Sequence, residues 1–435
     1  MVTRIRALFK NTFVKNVMIV ASGTAGAQIL AMALIPIITR LYGPEQYGFY
    51  TAFNAIVLII TPIAALTFPI GIVLPKKDSE AKGLARLSFF VSVIIAMVTI
   101  LLLLLFHQQI ISLFKLESIS EFIYLIPLVI LFASLLQIGE QWLIRKKQFK
   151  YTAKVTFLGA LIVQGSTLLI GFFSPVAAVL IVMMILGQGI KAGMMIYFAK
   201  REMFKKGDPE DHSSAFSKKT LAKKYVDFPK YRAPETFINA ASQSIPVLML
   251  SSFFGPVAVG LYGVGKSILA MPTQLLGKSV GDVFYPKISE AANNGQAITG
   301  LIMKATLVLG AIGVVPYGLV ILIGPWLFGF VLGSEWATAG EYGRWIALWS
   351  LFGFMNRPSV MALPVLSAQK FHLKMTVVML IVRMVALALG YYLFQSDVIA
   401  IAFFGVSGAI LNIILILLTI RLSKAQDKRM AEKAN

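Results

Sequence analysis

The chain contains no cysteine among its 435 residues, only three histidines (His107, His212, His372), and 19 acidic residues against 40 basic ones. Without cysteine there are no disulfides, thiolate metal sites or cysteine nucleophiles. The histidines stand far apart, with no pair at metal-ligand spacing, so no metal centre is expected. Charge of both signs is scarce: 14% of residues are charged, where soluble domains carry about 25%. Asp-x-Asp does not occur, and no polar segment is long enough to fold as a soluble catalytic domain. What remains is a chain that is 58% apolar with a formal charge of +21. In a soluble protein that charge would suggest nucleic acid. In so apolar a chain it calls for a different account, and nucleic acid is not an expected partner.

Apolar runs of about 20 residues, long enough to cross a bilayer as helices, recur about twelve times. They lie near 16–39, 48–73, 84–106, 121–144, 154–173, 176–199, 231–254, 258–281, 301–323, 343–366, 373–394 and 398–420. The predicted fold class is an all-α polytopic membrane protein. If the spans alternate in direction, 32 of the basic residues fall on one side and only Arg40, Lys115 and Arg344 on the other. This is the positive-inside asymmetry, and it places both termini in the cytoplasm. The last five, Lys191, Lys266, Lys278, Arg357 and Arg383, fall inside spans.

Tyr42-Gly43-Pro44-Glu45-Gln46-Tyr47-Gly48-Phe49-Tyr50 is echoed by Phe254-Gly255-Pro256-Val257-Ala258-Val259-Gly260-Leu261-Tyr262, each after the first span of its half. Six spans per half is an even number, so the halves form a parallel repeat, a plan that allows rocking about a central cavity. The expected domains are two six-helix bundles, 1–199 and 231–420. A basic cytoplasmic linker, 200–230 with Gly207-Asp208-Pro209, joins them, and a basic tail, 421–435, follows.

One eight-residue match needs an explanation. Gly260-Leu261-Tyr262-Gly263-Val264-Gly265-Lys266-Ser267 satisfies G-x-x-x-x-G-K-S. A phosphate loop needs a strand before it, a helix after it and an acidic Mg²⁺ partner, and the sequence has no hydrophobic run ending in Asp to supply that partner and no soluble domain to contain it. Gly260, Gly265, Lys266 and Ser267 are therefore not read as nucleotide-binding, and no cofactor is expected.

Two family patterns fit this plan. The major facilitator pattern expects an Asp-Arg/Lys-x-Gly-Arg/Lys cluster in the first cytoplasmic loop, and Pro75-Lys76-Lys77-Asp78-Ser79-Glu80-Ala81-Lys82-Gly83 does not match it. The stretch Pro36-Ile37-Ile38-Thr39-Arg40-Leu41-Tyr42-Gly43-Pro44-Glu45-Gln46-Tyr47-Gly48 resembles the polysaccharide-export branch of the multidrug/oligosaccharidyl-lipid/polysaccharide (MOP) superfamily, the Wzx-type flippases of O-antigen and capsule pathways. Leu332-Gly333-Ser334-Glu335-Trp336 carries the same resemblance, and length and span count agree across the chain. Relatives that flip the peptidoglycan precursor usually carry fourteen helices, for which there is no room. The resemblance implies a bacterial inner-membrane transporter. It would move polyprenyl-diphosphate-linked oligosaccharide from the cytoplasmic to the outer leaflet by alternating access, with membrane lipid, a polysaccharide polymerase and a chain-length regulator as candidate partners.

Polar residues inside spans cost about 2.5–3.5 kcal/mol for an ionised group at the bilayer centre, so each needs a reason. Lys266, Thr273 and Gln274 mark one face of span eight; Glu235, Asn239 and Gln243 mark span seven. Gln28 lies in span one and Asn54 in span two, and Asn54 is the repeat counterpart of Lys266. The resemblance implies a cavity formed largely by spans one, two, seven and eight. The candidate substrate-binding residues are Lys266, Arg383, Arg357, Asn54, Gln28, Asn239, Gln243 and Gln274, with the cations suited to an anionic diphosphate. The alternative for Lys266 is a structural pair with Glu235; for Arg383, a carboxylate on another span; for Arg357, carbonyls freed at Pro358. Lys191 and Lys278 are read as snorkelling near cytoplasmic ends, with Lys278 paired to Asp282. Drug exporters of the superfamily often carry an acid in the first helix, and residues 16–39 contain none. Glu140 and Glu235 remain for ion coupling, with a helix-end role as the alternative. A cation-coupled multidrug exporter and a membrane polymerase or glycosyltransferase are the alternative functions.

Overall fold

A computed structural model describes residues 12–203 and 217–434 of the chain. These residues are helical with no strand among them. The expected Gly207-Asp208-Pro209 part of the linker lies outside the described residues, as do the side chains of Lys278 and Asp282. The helices are α1 (Thr12–Ile60), α2 (Asp78–Phe114), α3 (Ile126–Arg145), α4 (Phe149–Gly171), α5 (Ala177–Met203), α6 (Lys218–Lys224) and α7 (Ala233–Phe254), followed by α8 (Pro256–Asn293), α9 (Thr299–Leu332), α10 (Ala337–Met355), α11 (Arg357–Val365), α12 (Gln369–Phe394) and α13 (Asp397–Ala434).

Among the described residues, nine helices are long and apolar enough to cross a membrane. One of them, Ser22–Ile63, holds two of the predicted spans, and α8 and α10 supply two more, which completes the expected twelve. The chain is a multi-pass membrane protein. Its apolar exposure has the same cause: Met97, Leu101, Leu104 and Leu105 of α2 are each more than half exposed, a surface that lipid, not water, would cover.

The chain divides into two compact units, Met1–Val259 and Gly260–Asn435. In the first, α1 packs on α4 and α7, α3 packs on α2 and α5, and α4 packs on α5. One of its buried clusters joins Phe68, Ile72, Leu84, Trp142, Leu143, Met195 and Leu221. In the second, α9 packs on α10, and α13 packs on both α10 and α12.

The repeat is visible in the backbone. Gly43 (φ 67°, ψ 169°) and Gly255 (φ 86°, ψ −170°) adopt nearly the same left-handed conformation, one that glycine enters without the strain a Cβ would bring. Each is followed by proline, whose fixed φ suits the first helical position. A second repeated turn leaves little trace in the sequence. Lys147 N donates to Ile144 O (2.9 Å) and Gln148 N to Leu143 O (2.8 Å), while Ser367 N donates to Pro364 O (3.0 Å) and Ala368 N to Leu363 O (2.8 Å). Lys147 and Ser367 both have positive φ, at 56° and 51°.

Two predicted spans end differently. The α-helix of span two stops at Ile60, and the chain continues through 3-10 turns at Thr61–Ile63 and Phe68–Val73. Between them Leu66 and Thr67 have positive φ, and the Thr67 hydroxyl donates to Phe228 O (3.1 Å). Hydropathy does not register such a break, because its residues stay apolar. Span ten is two helices, α10 and α11, parted at Asn356. Its side chain donates to Asn412 Oδ1 (2.9 Å), and Asn412 donates to Gly408 O (2.8 Å).

Candidate functional site: a cation cluster in the C-terminal unit

Helix α8 starts at Pro256, so the residues Gly260–Ser267 lie in the interior of a continuous helix. Their amides belong to the helical ladder, whereas a phosphate loop turns its amides toward the ligand. Tyr262 and Lys266 are one turn apart and share a face. The Tyr262 ring is 1% exposed, and Lys266 Nζ stands 5.9 Å from its centroid.

Arg383 reaches this place from the middle of α12. Its guanidinium lies 3.9 Å from the Trp349 ring of α10 and 4.1 Å from the Phe404 ring of α13. The two rings meet edge to face at 5.5 Å, and Phe404 meets Tyr262 in the same manner at 6.3 Å. Lys266 and Arg383 thus meet one aromatic group, Lys266 through Tyr262 and Arg383 through Phe404. Among the described residues Arg383 is held by π faces and not by a carboxylate. Each desolvated cation–π contact contributes about 2 kcal/mol, so two of them offset an insertion cost of roughly 2.5–3.5 kcal/mol. Among the described residues, Arg383 Nε and the Tyr262 hydroxyl have no hydrogen-bond partner. The guanidinium charge lies over two nearly perpendicular rings, and its Nε–H remains a donor that an oxyanion can accept from.

The structure therefore brings Lys266 and Arg383 together. Arg357, at the start of α11, is exposed, and its charge acts on Tyr317. The Tyr317 hydroxyl pairs with Thr273 of α8 at 2.9 Å. Gln274 is exposed on the same helix. In the N-terminal unit Gln28 is exposed on α1 and Asn54 is half-buried beyond the Gly43 turn. Asn239 and Gln243 are exposed on α7, where Glu235 is bridged by Arg232 at 3.2 Å. Glu140 is half-buried on α3.

Sequence reasoning missed the rings. Trp349 and Phe404 lie on other helices, and nothing near Arg383 in the chain announces them. It also misplaced Lys191, which stands at mid-length of α5 and lines a half-open cavity instead of snorkelling to a helix end. The acids of the 75–83 loop serve as clamps. Asp78 accepts from Arg145 Nε (3.0 Å) and from Lys146, and Arg145 also donates to Pro75 O (2.5 Å). Glu80 accepts from Lys224 (2.5 Å) and from the Tyr225 hydroxyl (3.0 Å). Burial first, and then the Glu80 carboxylate, push that hydroxyl up to about 12.

The profile of the polysaccharide biosynthesis protein family matches residues 37–341. The amylovoran biosynthesis protein AmsL of Erwinia amylovora is 19% identical over 269 residues, which are 62% of this chain and 66% of that relative. The chain thus spans just under two thirds of the curated relative it matches. Among solved structures, the inward-facing conformation of a multidrug resistance MATE family transporter of the MOP superfamily is similar with a TM-score of 0.72 and 12% identity, over 92% of this chain and 96% of that one. The inward closed conformation of the lipid II flippase MurJ gives 0.70 and 14%, over 93% and 87%. At such identities the likeness is one of fold, the MOP-superfamily transporter fold, and the neighbours are transporters rather than enzymes. With its profile matched over well more than half of its length, the chain belongs to the polysaccharide biosynthesis protein family.

Proposed function

We propose that this chain is a flippase that moves polyprenyl-diphosphate-linked oligosaccharide from the cytoplasmic to the outer leaflet of the bacterial inner membrane. The saccharide units would feed a surface polysaccharide of the O-antigen or capsule kind. The observation that carries this reading is the pair Lys266 and Arg383, two cations held within membrane-spanning helices. The rings offset the cost of placing Arg383 there, and its Nε–H, which has no hydrogen-bond partner among the described residues, is a donor suited to an anion. A diphosphate is a ligand that crosses the membrane's interior only with such help. Arg383 supplies a planar N–H fork and Lys266 a compact point charge. Arg357, Asn54, Gln28, Asn239, Gln243 and Gln274 are the further candidates for substrate contact.

The excess of basic residues on alternate loops supports cytoplasmic termini. Membrane potential acting on the anionic substrate, worth about 2.3 kcal/mol per charge per 100 mV, is a sufficient drive, with Glu140 and Glu235 as the candidates for ion coupling. A polymerase and a chain-length regulator are the expected partners, and the chain itself forms and breaks no covalent bond. The likeness to multidrug transporters favours one other reading, a cation-coupled exporter. That reading asks for a buried acid, and the exposed, Arg232-bridged Glu235 is a poor one.

The test is leaflet location. In cells lacking the chain, lipid-linked saccharide should accumulate on the cytoplasmic face, and wild-type chain should restore export where Lys266→Ala does not. Normal export by a membrane-inserted Lys266→Ala variant would overturn the reading.

A further inference from the structure

The N-terminal unit holds a half-open cavity of about 330 Å³, with neither Lys266 nor Arg383 in its lining. Its walls come from both arms of α1, from α4 and from α5. The polar lining is Lys191, Gln164, Gln188, Thr39, Thr167, Tyr47 and Tyr50, and no acid is among the lining residues. At about 30 Å³ per liquid water, the space equals roughly eleven waters. That exceeds the need of a single inorganic ion and lies at the small end of ligand sites, which begin near about 300 Å³.

Lys191 is built into this cavity. A Cβ on Gly159 of α4 would stand 2.5 Å from Lys191 Cγ and 2.7 Å from its Cε. The missing side chain at Gly159 therefore leaves a trough in which the lysine stem lies, bringing the ammonium to the cavity. No carboxylate bridges Lys191 among the described residues, and the two glutamine carboxamides make no hydrogen bond to protein there. Carboxamides donate and accept at once, as the hydroxyls of a sugar do. The Tyr47 and Tyr50 rings, 5.5 Å apart and edge to face, give an apolar wall against which the carbon face of a pyranose can rest.

We propose that this cavity takes one carboxylated sugar residue, with Lys191 on the carboxylate, Gln164 and Gln188 on ring hydroxyls, and the tyrosine pair along the ring face. The inference deepens the flippase reading and rests on it for biological meaning: it places an anionic sugar in the saccharide carried. The binding itself can be tested without transport.

The test uses purified full-length protein in nanodiscs of zwitterionic lipid, with ligand-observed NMR titrations of glucuronic acid, glucose and glycerol 3-phosphate. Saturable glucuronate binding is expected, with glucose at least tenfold weaker. Lys191→Met keeps the stem in the Gly159 trough while removing the charge. It should weaken glucuronate about tenfold or more, the worth of one charge-assisted hydrogen bond, and leave glucose unchanged. Gln164→Ala should weaken both sugars, and equal melting temperatures for all three proteins would confirm that they are folded. Equal binding of glucose and glucuronate, a Lys191→Met variant that binds as wild type, or glycerol 3-phosphate binding as well as glucuronate would each overturn the proposal. The last result would assign the cavity to a lipid headgroup. A chain that flips lipid-linked saccharide yet binds no glucuronate refutes this proposal alone, and one that binds glucuronate yet flips nothing refutes the transport reading alone.

Discussion

Lys191 in the N-terminal unit and Arg383 in the C-terminal unit solve the same problem in opposite ways. Each is a cation at mid-length of a long apolar helix with no carboxylate bridging it among the described residues. Lys191 lies in a glycine trough and ends at a cavity furnished with amides and phenols. Arg383 sits against two aromatic rings, and among the described residues its Nε has no hydrogen-bond partner. The difference follows from the side chains. A guanidinium is flat and weakly hydrated and can lie between rings, whereas an ammonium is a compact charge that needs oxygen atoms around it. A cation held by rings has its charge balanced within the packing, whereas a cation at a cavity's wall has its charge beside open space.

Breaking the ring-held side should have the largest effect. Arg383→Ala or Lys266→Ala should abolish export, a loss of a hundredfold or more, with membrane insertion retained on immunoblots of washed membranes. Arg383→Lys is the sharper version. It keeps the charge but cannot lie between Trp349 and Phe404, so transport should still fall at least tenfold in a vesicle assay. Trp349→Ala removes one of the two faces. It should lower the unfolding free energy by about 2 kcal/mol and reduce transport less than Arg383→Ala does. On the cavity side, Gly159→Ala should displace the Lys191 stem and weaken glucuronate binding about tenfold, with the Arg383 cluster untouched.

The smallest effect belongs to the clamp outside the membrane. Glu80→Gln should loosen Lys218–Lys224 by about 1 kcal/mol or less, since Lys224 is more than half exposed, read as faster amide exchange in that helix. The Tyr225 hydroxyl is raised to about 12 from an ordinary value of 10.0. Its contribution is therefore fully present below about pH 10 and is lost as pH rises toward about 12. Protection factors in α6, with the intrinsic base-catalysed exchange rate divided out, should thus be indifferent to pH between about 6 and 9.

Much of this fold is legible in the sequence because lipid makes a simple demand. A helix that must bury its backbone polar groups in hydrocarbon needs about 20 apolar residues, and such runs can be counted. The Gly-Pro turns at Gly43 and Gly255 are legible for a related reason: only particular residues make that backbone easily. The paired turns at Lys147 and Ser367 are not, since their likeness lies in hydrogen bonds that many sequences can make. Lys266 and Arg383 stand out individually as charges in apolar runs. That they meet, and that Trp349 and Phe404 hold Arg383, depends on packing among α8, α10, α12 and α13, which no local pattern encodes. Lys191 was misread for the same reason, because its trough is an absence, the missing side chain of Gly159 on a neighbouring helix.

The account turns on whether this chain moves a diphosphate-linked saccharide by means of its intramembrane cations. The direct measurement is flipping of a fluorescent polyprenyl-diphosphate-linked oligosaccharide in proteoliposomes, read by quenching of the outer leaflet, for wild type and for Lys266→Ala. The account predicts time-dependent translocation by wild type and a rate no higher than that of empty liposomes for the variant. Equal rates in the two proteins, or no translocation by wild type in sealed vesicles with a membrane potential applied, would contradict it.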